Sequence, residues 1–274
     1  MGISLLVLTN FYPAALRALH YADDLACAQG GRLVLLHVNR SSLYDLYMFA
    51  GEGWRRQELD LEADTATQLE RLTTQLHTPA TVELATDLLP EVAKDLVTRY
   101  QQGLFVIGLP AAGHASPEQL SATTLDLLRA AQFPVLVVPD SAPATTLPRR
   151  VMVAVDQESF VLVNSGAVTQ LLQNIKAEVT VVHVTVQEDD AACARALRHV
   201  QGSGLTDGTK SVDLRGFLHT DPAAGVLEAI PQVSPDLVVV LSRSRSYLGG
   251  LFHHSVTAHV IARSPVPVLV VPVN

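Results

Sequence analysis

The sequence predicts two tandem three-layer α/β/α sandwiches, each built on a five-stranded parallel sheet. Three observations carry this. Short apolar runs without alternation, such as Ile3–Thr9 and Arg32–Val38, describe strands buried on both faces, as in a parallel sheet covered by helices. These runs are separated by stretches with apolar residues at helical spacing. The pattern is also written twice: Pro134-Val135-Leu136-Val137-Val138-Pro139 returns as Pro267-Val268-Leu269-Val270-Val271-Pro272, 133 positions on.

In the first half, Ile3–Thr9 is strand one. Pro13 opens a helix that continues through Ala15, Leu19, Ala22 and Ala26 and stops at Gly30-Gly31. Arg32–Val38 is strand two. A segment with Trp54 leads into an exposed amphipathic helix over Gln57–Leu76. Thr81–Thr86 is strand three, Pro90–Tyr100 a helix and Leu104–Leu109 strand four. Ser116-Pro117-Glu118-Gln119 reads as a helix start with a capping box, and that helix ends near Gln132. Pro134–Val138 is strand five.

Asp140–Pro148 is a linker of small residues and prolines. It separates an expected domain at 1–140 from a second at 148–274. The pattern then restarts: Val151–Val155 matches Leu5–Thr9, and Glu178–Val184 matches Arg32–Val38, both 146 positions on. By strand four, Leu237–Leu241 against Leu104–Gly108, the offset is 133. The second half is therefore shorter between strands two and three, where a surface helix absorbs the loss. Asp189-Asp190 starts that helix, where negative charge suits the dipole.

Composition excludes several functions. The 274 residues are 48% hydrophobic and 17% charged, with mean hydropathy +0.26. A net charge of −8 argues against a nucleic-acid surface, which needs clustered Lys and Arg. No apolar run approaches the roughly 18 residues that suggest a spanning helix. Met1–Val7 lacks a basic leader, a small-residue cleavage site and the hydroxyl residue of a myristoylation signal. Cys27 and Cys193 fall in different halves as free thiols. A cytoplasmic setting is expected, with no membrane association.

In this topology a ligand crevice lies beyond the carboxyl ends of strands one and four, where strand order reverses. That selects Asn10 with the loop after Gly108 in the first half, and Asp156 with the loop after Leu241 in the second. No G-x-S-x-G, G-x-x-x-x-G-K-S/T, G-x-G-x-x-G or C-x-x-C motif occurs. His253, His254 and His259 lack a carboxylate or Cys at a metal-binding spacing. His37 and His183 hold equivalent places in the repeats, which packing or a backbone hydrogen bond explains.

The strand-one ends LLVLTNF and VMVAVDQES, the strand-two ends LLHV and VVHV, the closing FPVLVVP and VPVLVVPV, and Phe252–Thr257 together resemble the universal stress protein family in its tandem form. The resemblance covers essentially the whole chain, twice. It implies Rossmann-like sheets ordered 3-2-1-4-5, association through strand five and a role in stress adaptation, with ATP bound by some members and not by others. ATP-binding members carry Gly-x2-Gly-x9-Gly-Ser/Thr after strand four. Glycines there let the backbone approach phosphates at a helix N-terminus. The first half offers Gly108, Ala111, Ser121 and Ala122 at those places; the second offers Leu241, Ser244, His254 and Ser255. An acid ending strand one would meet the nucleoside: Asp156 keeps it and Asn10 does not. The backbone of Val38 and Val184, ending strand two, would meet the adenine edge.

The expectation is thus a non-catalytic stress-response adaptor or sensor with degenerate nucleotide sites and a protein partner that the sequence does not name. The two fifth strands are expected to pair within the chain, removing two apolar edges. A homodimer of the whole chain is compatible with the pattern but called for by no single feature. The rival reading is an ATP- or AMP-binding switch using Asp156, Val184 and Ser255. A third, an α/β enzyme acting on a small metabolite, requires a pocket with converging titratable groups.

Overall fold

The computed structural model of the chain describes residues 2–9, 11–38, 64–85, 89–100, 102–110, 132–143, 147–243 and 256–274. The first half contains β1 (Ser4–Leu8), α1 (Pro13–Gln29), β2 (Arg32–Val38), a helix α2 over 64–74, β3 (Ala80–Ala85), α3 (Leu89–Arg99), β4 (Gly103–Leu109) and β5 (Val135–Pro139). The second contains β6 (Arg150–Ala154), α4 (Gly166–Asn174), β7 (Glu178–Thr185), α5 (Asp190–Gly202), β8 (Ser211–Leu218), α6 (Pro222–Val233), β9 (Leu237–Arg243), α7 (Val256–Arg263) and β10 (Val268–Val273). The helix expected from Ser116 lies outside the described residues.

Strand order is β3-β2-β1-β4-β5 in the first half and β8-β7-β6-β9-β10 in the second, parallel within each half. This is the expected 3-2-1-4-5 order, twice. The two halves are not separate sheets. β5 and β10 pair antiparallel and join them into one ten-stranded sheet. In that seam Leu136 lies opposite Leu269, Val137 opposite Val268 and Val135 opposite Val270. Leu136 and Leu269 are the same position of the repeat, so a pseudo-two-fold axis passes between them.

Burial explains the seam. Leu136 and Leu269 sit in one core, while Val135, Val137, Val268 and Val270 sit in the core on the other face. Each core holds residues of both halves and runs unbroken beneath the paired strands. α1, α2, α4 and α5 cover one face, contributing Leu19, Leu69, Leu171 and Val200. α3, α6 and α7 cover the other with Leu96, Ile230 and Ile261. Along β1, Leu5 and Val7 face the first core and Leu6 the second, which is why the strand reads as a continuous apolar run.

Helix ends follow local chemistry. α1 has Pro13 at its start and Gly30 in the left-handed conformation (φ 58°) at its end. The Asp189 carboxylate accepts a hydrogen bond from the Ala192 N–H and caps α5, and Asp221 caps α6 through the Ala223 N–H.

The halves also differ after strand one. α1 has 17 residues and α4 only 9. In place of the missing turns, residues 161–163 lie against the end of β10. Val161 and Asn274 exchange backbone hydrogen bonds of 3.3 and 3.1 Å, and Val163 N–H donates to Pro272 O at 3.0 Å. Asn164 Nδ2 then donates to Gln132 O, tying this segment to the first half at 2.9 Å.

Candidate functional site

In each half the strand order reverses between the first and fourth strands, β1 and β4 in one and β6 and β9 in the other, and their carboxyl ends are the candidate site. In the second half, Asp156 follows β6 by two residues and Arg243 is the last residue of β9. Arg243 Nη2 donates to Asp156 Oδ1 at 2.8 Å and Nε to Oδ2 at 3.3 Å. The same guanidinium donates to the carbonyls of Ser159 (3.0 Å) and Glu158 (3.2 Å). Its side chain is only 14% exposed, and that of Asp156 is 55% exposed. The forked, planar cation suits this two-oxygen grip on a carboxylate.

Asp156 Oδ1 also accepts from the Glu158 N–H at 2.9 Å, closing an Asx turn. Asp156 thus caps the turn that follows it, and Ser159 in that turn contributes its carbonyl to Arg243. The acid retained at the family's nucleoside position is tied into the protein's own loop by both oxygens. Sequence reasoning did not nominate Arg243, since an arginine ending a strand reads as a solvated charge.

Val184 lies near the end of β7, paired with Phe217 of β8. Its side chain packs beneath Gly225 of α6, where an added Cβ would stand 2.6 Å from Val184 Cγ1. Leu241, at the first phosphate-glycine place, is half-buried against the core. His254, Ser255 and Ser244 lie outside the described residues, as does His253.

In the first half, Val38 ends β2, paired with Ala85. Gly108 lies in β4 opposite Val138. A Cβ at Gly108 would sit 2.1 Å from Ala14 O and 2.3 Å from Ala14 C, so the first turn of α1 rests directly on this glycine. Helix-on-strand packing is thus a sufficient reason for the one glycine kept. Phe11 adopts φ 60°, a left-handed conformation that costs a bulky residue about 1–2 kcal/mol. Its ring lies 5.5 Å from that of His37. Asn10, Ala111, Ser121 and Ala122 lie outside the described residues.

The two equivalent histidines do the same job. His37 Nδ1–H donates to Thr9 O and His183 Nδ1–H to Val155 O, each at 2.9 Å. Each ring ties the end of strand two to the residue following strand one. Among the described residues no group of three or more His, Cys, Asp or Glu could hold a metal ion. No helix among them is long and apolar enough to cross a membrane.

No curated protein matches the chain. Among solved structures, a universal stress protein from Archaeoglobus fulgidus DSM 4304 superposes with a TM-score of 0.69 at 20% identity, covering 97% of each chain. A functionally unknown protein from Pseudomonas aeruginosa PAO1 gives 0.56 at 16% identity, covering 99% of this chain and 92% of its own. The cytoplasmic domain of a prokaryotic cation chloride cotransporter gives 0.57 at 10% identity, covering 99% and 95%. These likenesses establish the fold. The model of the universal stress protein family matches residues 4–139 and again 148–272, nearly the whole chain in two consecutive copies. The chain therefore belongs to the universal stress protein family.

Proposed function

We propose that this chain is a non-catalytic stress-response adaptor or sensor made of two stress-protein domains, 1–140 and 148–274, whose nucleotide sites are degenerate. One observation carries the reading: Asp156, the only strand-one acid kept, has both oxygens engaged by Arg243. A ligand hydroxyl would have to displace a charge-assisted, bidentate contact to reach it. Leu241 in a glycine place and the α1 backbone packed on Gly108 add steric support. The paired fifth strands give a rigid two-lobed body that offers its surface, cytoplasmic in this reading, to a protein partner.

The rival reading, an ATP- or AMP-regulated switch in the second domain, is favoured by the retention of Asp156 itself. Isothermal titration of the full chain with ATP and AMP decides between them, repeated on Asp156→Ala. Binding no tighter than millimolar is expected. Micromolar binding that disappears in Asp156→Ala would establish the switch instead.

A further inference from the structure

At the other end of the first half, away from the carboxyl strand ends, the amino ends of β1, β2 and β4 line an open surface pocket of about 420 Å³. Arg32, the first residue of β2, reaches across it. Its Nε–H donates to the Oγ of buried Ser4 at 2.8 Å, and its guanidinium carbon stands 5.1 Å from the centroid of the Tyr100 ring. Tyr100 is itself fixed, its hydroxyl donating to Glu83 at 3.0 Å. The guanidinium is therefore positioned from two sides, while no carboxylate of the described residues lies within ion-pair distance of it. The acids nearby are already taken: Arg99 pairs with both Glu83 (2.8 Å) and Asp95 (2.6 Å).

The repeat supplies a control within the same molecule. In the second half the places of Ser4 and Arg32 are held by Arg150 and Glu178. Arg150 pairs with Asp236 at 3.0 Å, and Glu178 pairs with Lys210. In that corner both repeat-equivalent charges have counter-charges; in the first-half corner Arg99 has them, and Arg32 has none among the described residues. The carboxyl ends of α1 and α3 lie at this pocket, and on α1 the carbonyls of Ala26 and Cys27 are turned back into the helix cap. Gly31 N–H bonds Ala26 O at 2.8 Å and Gly30 N–H bonds Cys27 O at 3.4 Å. With Nε on Ser4, the guanidinium keeps a two-pronged donor edge, formed by Nη1 and Nη2, that no side chain among the described residues takes up.

We infer that this corner is an oxyanion-binding site, in which the Nη edge of Arg32 grips a small carboxylate or phosphate. Two parallel N–H donors match two oxygens of such a group, the geometry a lysine cannot reproduce. The site is independent of the crevice, so its failure would leave the proposed function standing, and the reverse also holds.

Amide and arginine Nε–H resonances of the full chain, followed by NMR during titration with inorganic phosphate and separately with malonate, test this. Saturable shifts at Gly30, Gly31 and the Arg32 Nε–H are expected with at least one probe, and which probe binds tells phosphate from carboxylate. Arg32→Ala should weaken that binding tenfold or more. Arg32→Lys, which keeps the charge and loses the fork, should weaken it severalfold, and Glu178→Ala should leave it unchanged. No saturable shift with either probe, or equal affinity in Arg32→Ala, overturns the site.

Discussion

Arg243 Nη2 lies 2.8 Å from Asp156 Oδ1, so the end of β9 is fastened to the turn beyond β6 across the line where strand order reverses. The contact couples the two strand ends that would otherwise frame an open crevice. Arg243→Ala and Asp156→Ala should each destabilise the chain by about 1–2 kcal/mol, the scale of hydrogen bonds to charged groups. Because Asp156 is more than half exposed, screening limits the pairwise part to roughly 1 kcal/mol. A double-mutant cycle in urea unfolding measures it, and a coupling near zero would mean that the pair does not close the crevice.

Gly108 is a site where one methyl group meets backbone. A Cβ there would stand 2.1 Å from Ala14 O, and neither α1 nor β4 can yield without disturbing its core. Gly108→Ala should cost about 2–4 kcal/mol, at or above the usual overpacking range. Gly166, at the start of α4, has open space around its would-be Cβ. Gly166→Ala should stabilise by about 0.5 kcal/mol through chain entropy and helix propensity. Paired denaturation curves check both, and equal effects at the two glycines would contradict the close approach of α1.

The legible part of this fold is the part buried on two faces. β1, β5 and β10 carry apolar residues at nearly every position, and the repeated PVLVVP motif points to the seam that Leu136 and Leu269 form. Less legible was anything fixed by a partner far away in the chain. Phe160–Val163 reads as an apolar run with no clear place; what orders it is the tail of β10, more than a hundred residues later. Arg243 was missed for the same reason, because only the folded sheet brings it to Asp156. Gly108 stands at a phosphate-glycine place of the sequence pattern, and the backbone of α1 packed on it is a reason of a different kind.

The seam predicts how the molecule unfolds. Leu136 and Leu269 are 1% and 0% exposed, opposite one another on the pseudo-two-fold axis and within the same core. Leu136→Ala and Leu269→Ala should therefore cost similar amounts, about 2–5 kcal/mol each. Since both cores cross from one half to the other, the chain should melt in one transition whose calorimetric and van't Hoff enthalpies agree. Two resolved transitions, or a mutation that lowers the melting of one half alone, would show that the seam is weaker than its burial implies.

Acid sensitivity should be concentrated at Asp23. This residue is buried on α1, and its carboxylate accepts the His77 N–H (2.8 Å), the Thr78 N–H (2.9 Å) and the His77 ring Nδ1–H (3.0 Å). Burial pushes its pKa up, but these hydrogen bonds outweigh it and the net shift is downward. A carboxyl with a lowered folded pKa binds fewer protons folded than unfolded. Its stabilisation is complete above the unfolded value of about 3.9 and fades as pH falls through the folded one. Asp236 acts in the same direction: burial is opposed by the Arg150 side chain and the Arg149 and Arg150 amides. Asp24 works the other way, raised first by burial and then by the charge of Asp23, so its protonation returns stability as pH falls. Asp23→Asn should therefore destabilise the chain by about 1–3 kcal/mol at pH 7 and by progressively less below pH 4. Urea midpoints measured from pH 7 to pH 3 test this, and a mutant–parent gap that does not change with pH would rule out Asp23 as the acid-sensitive clamp.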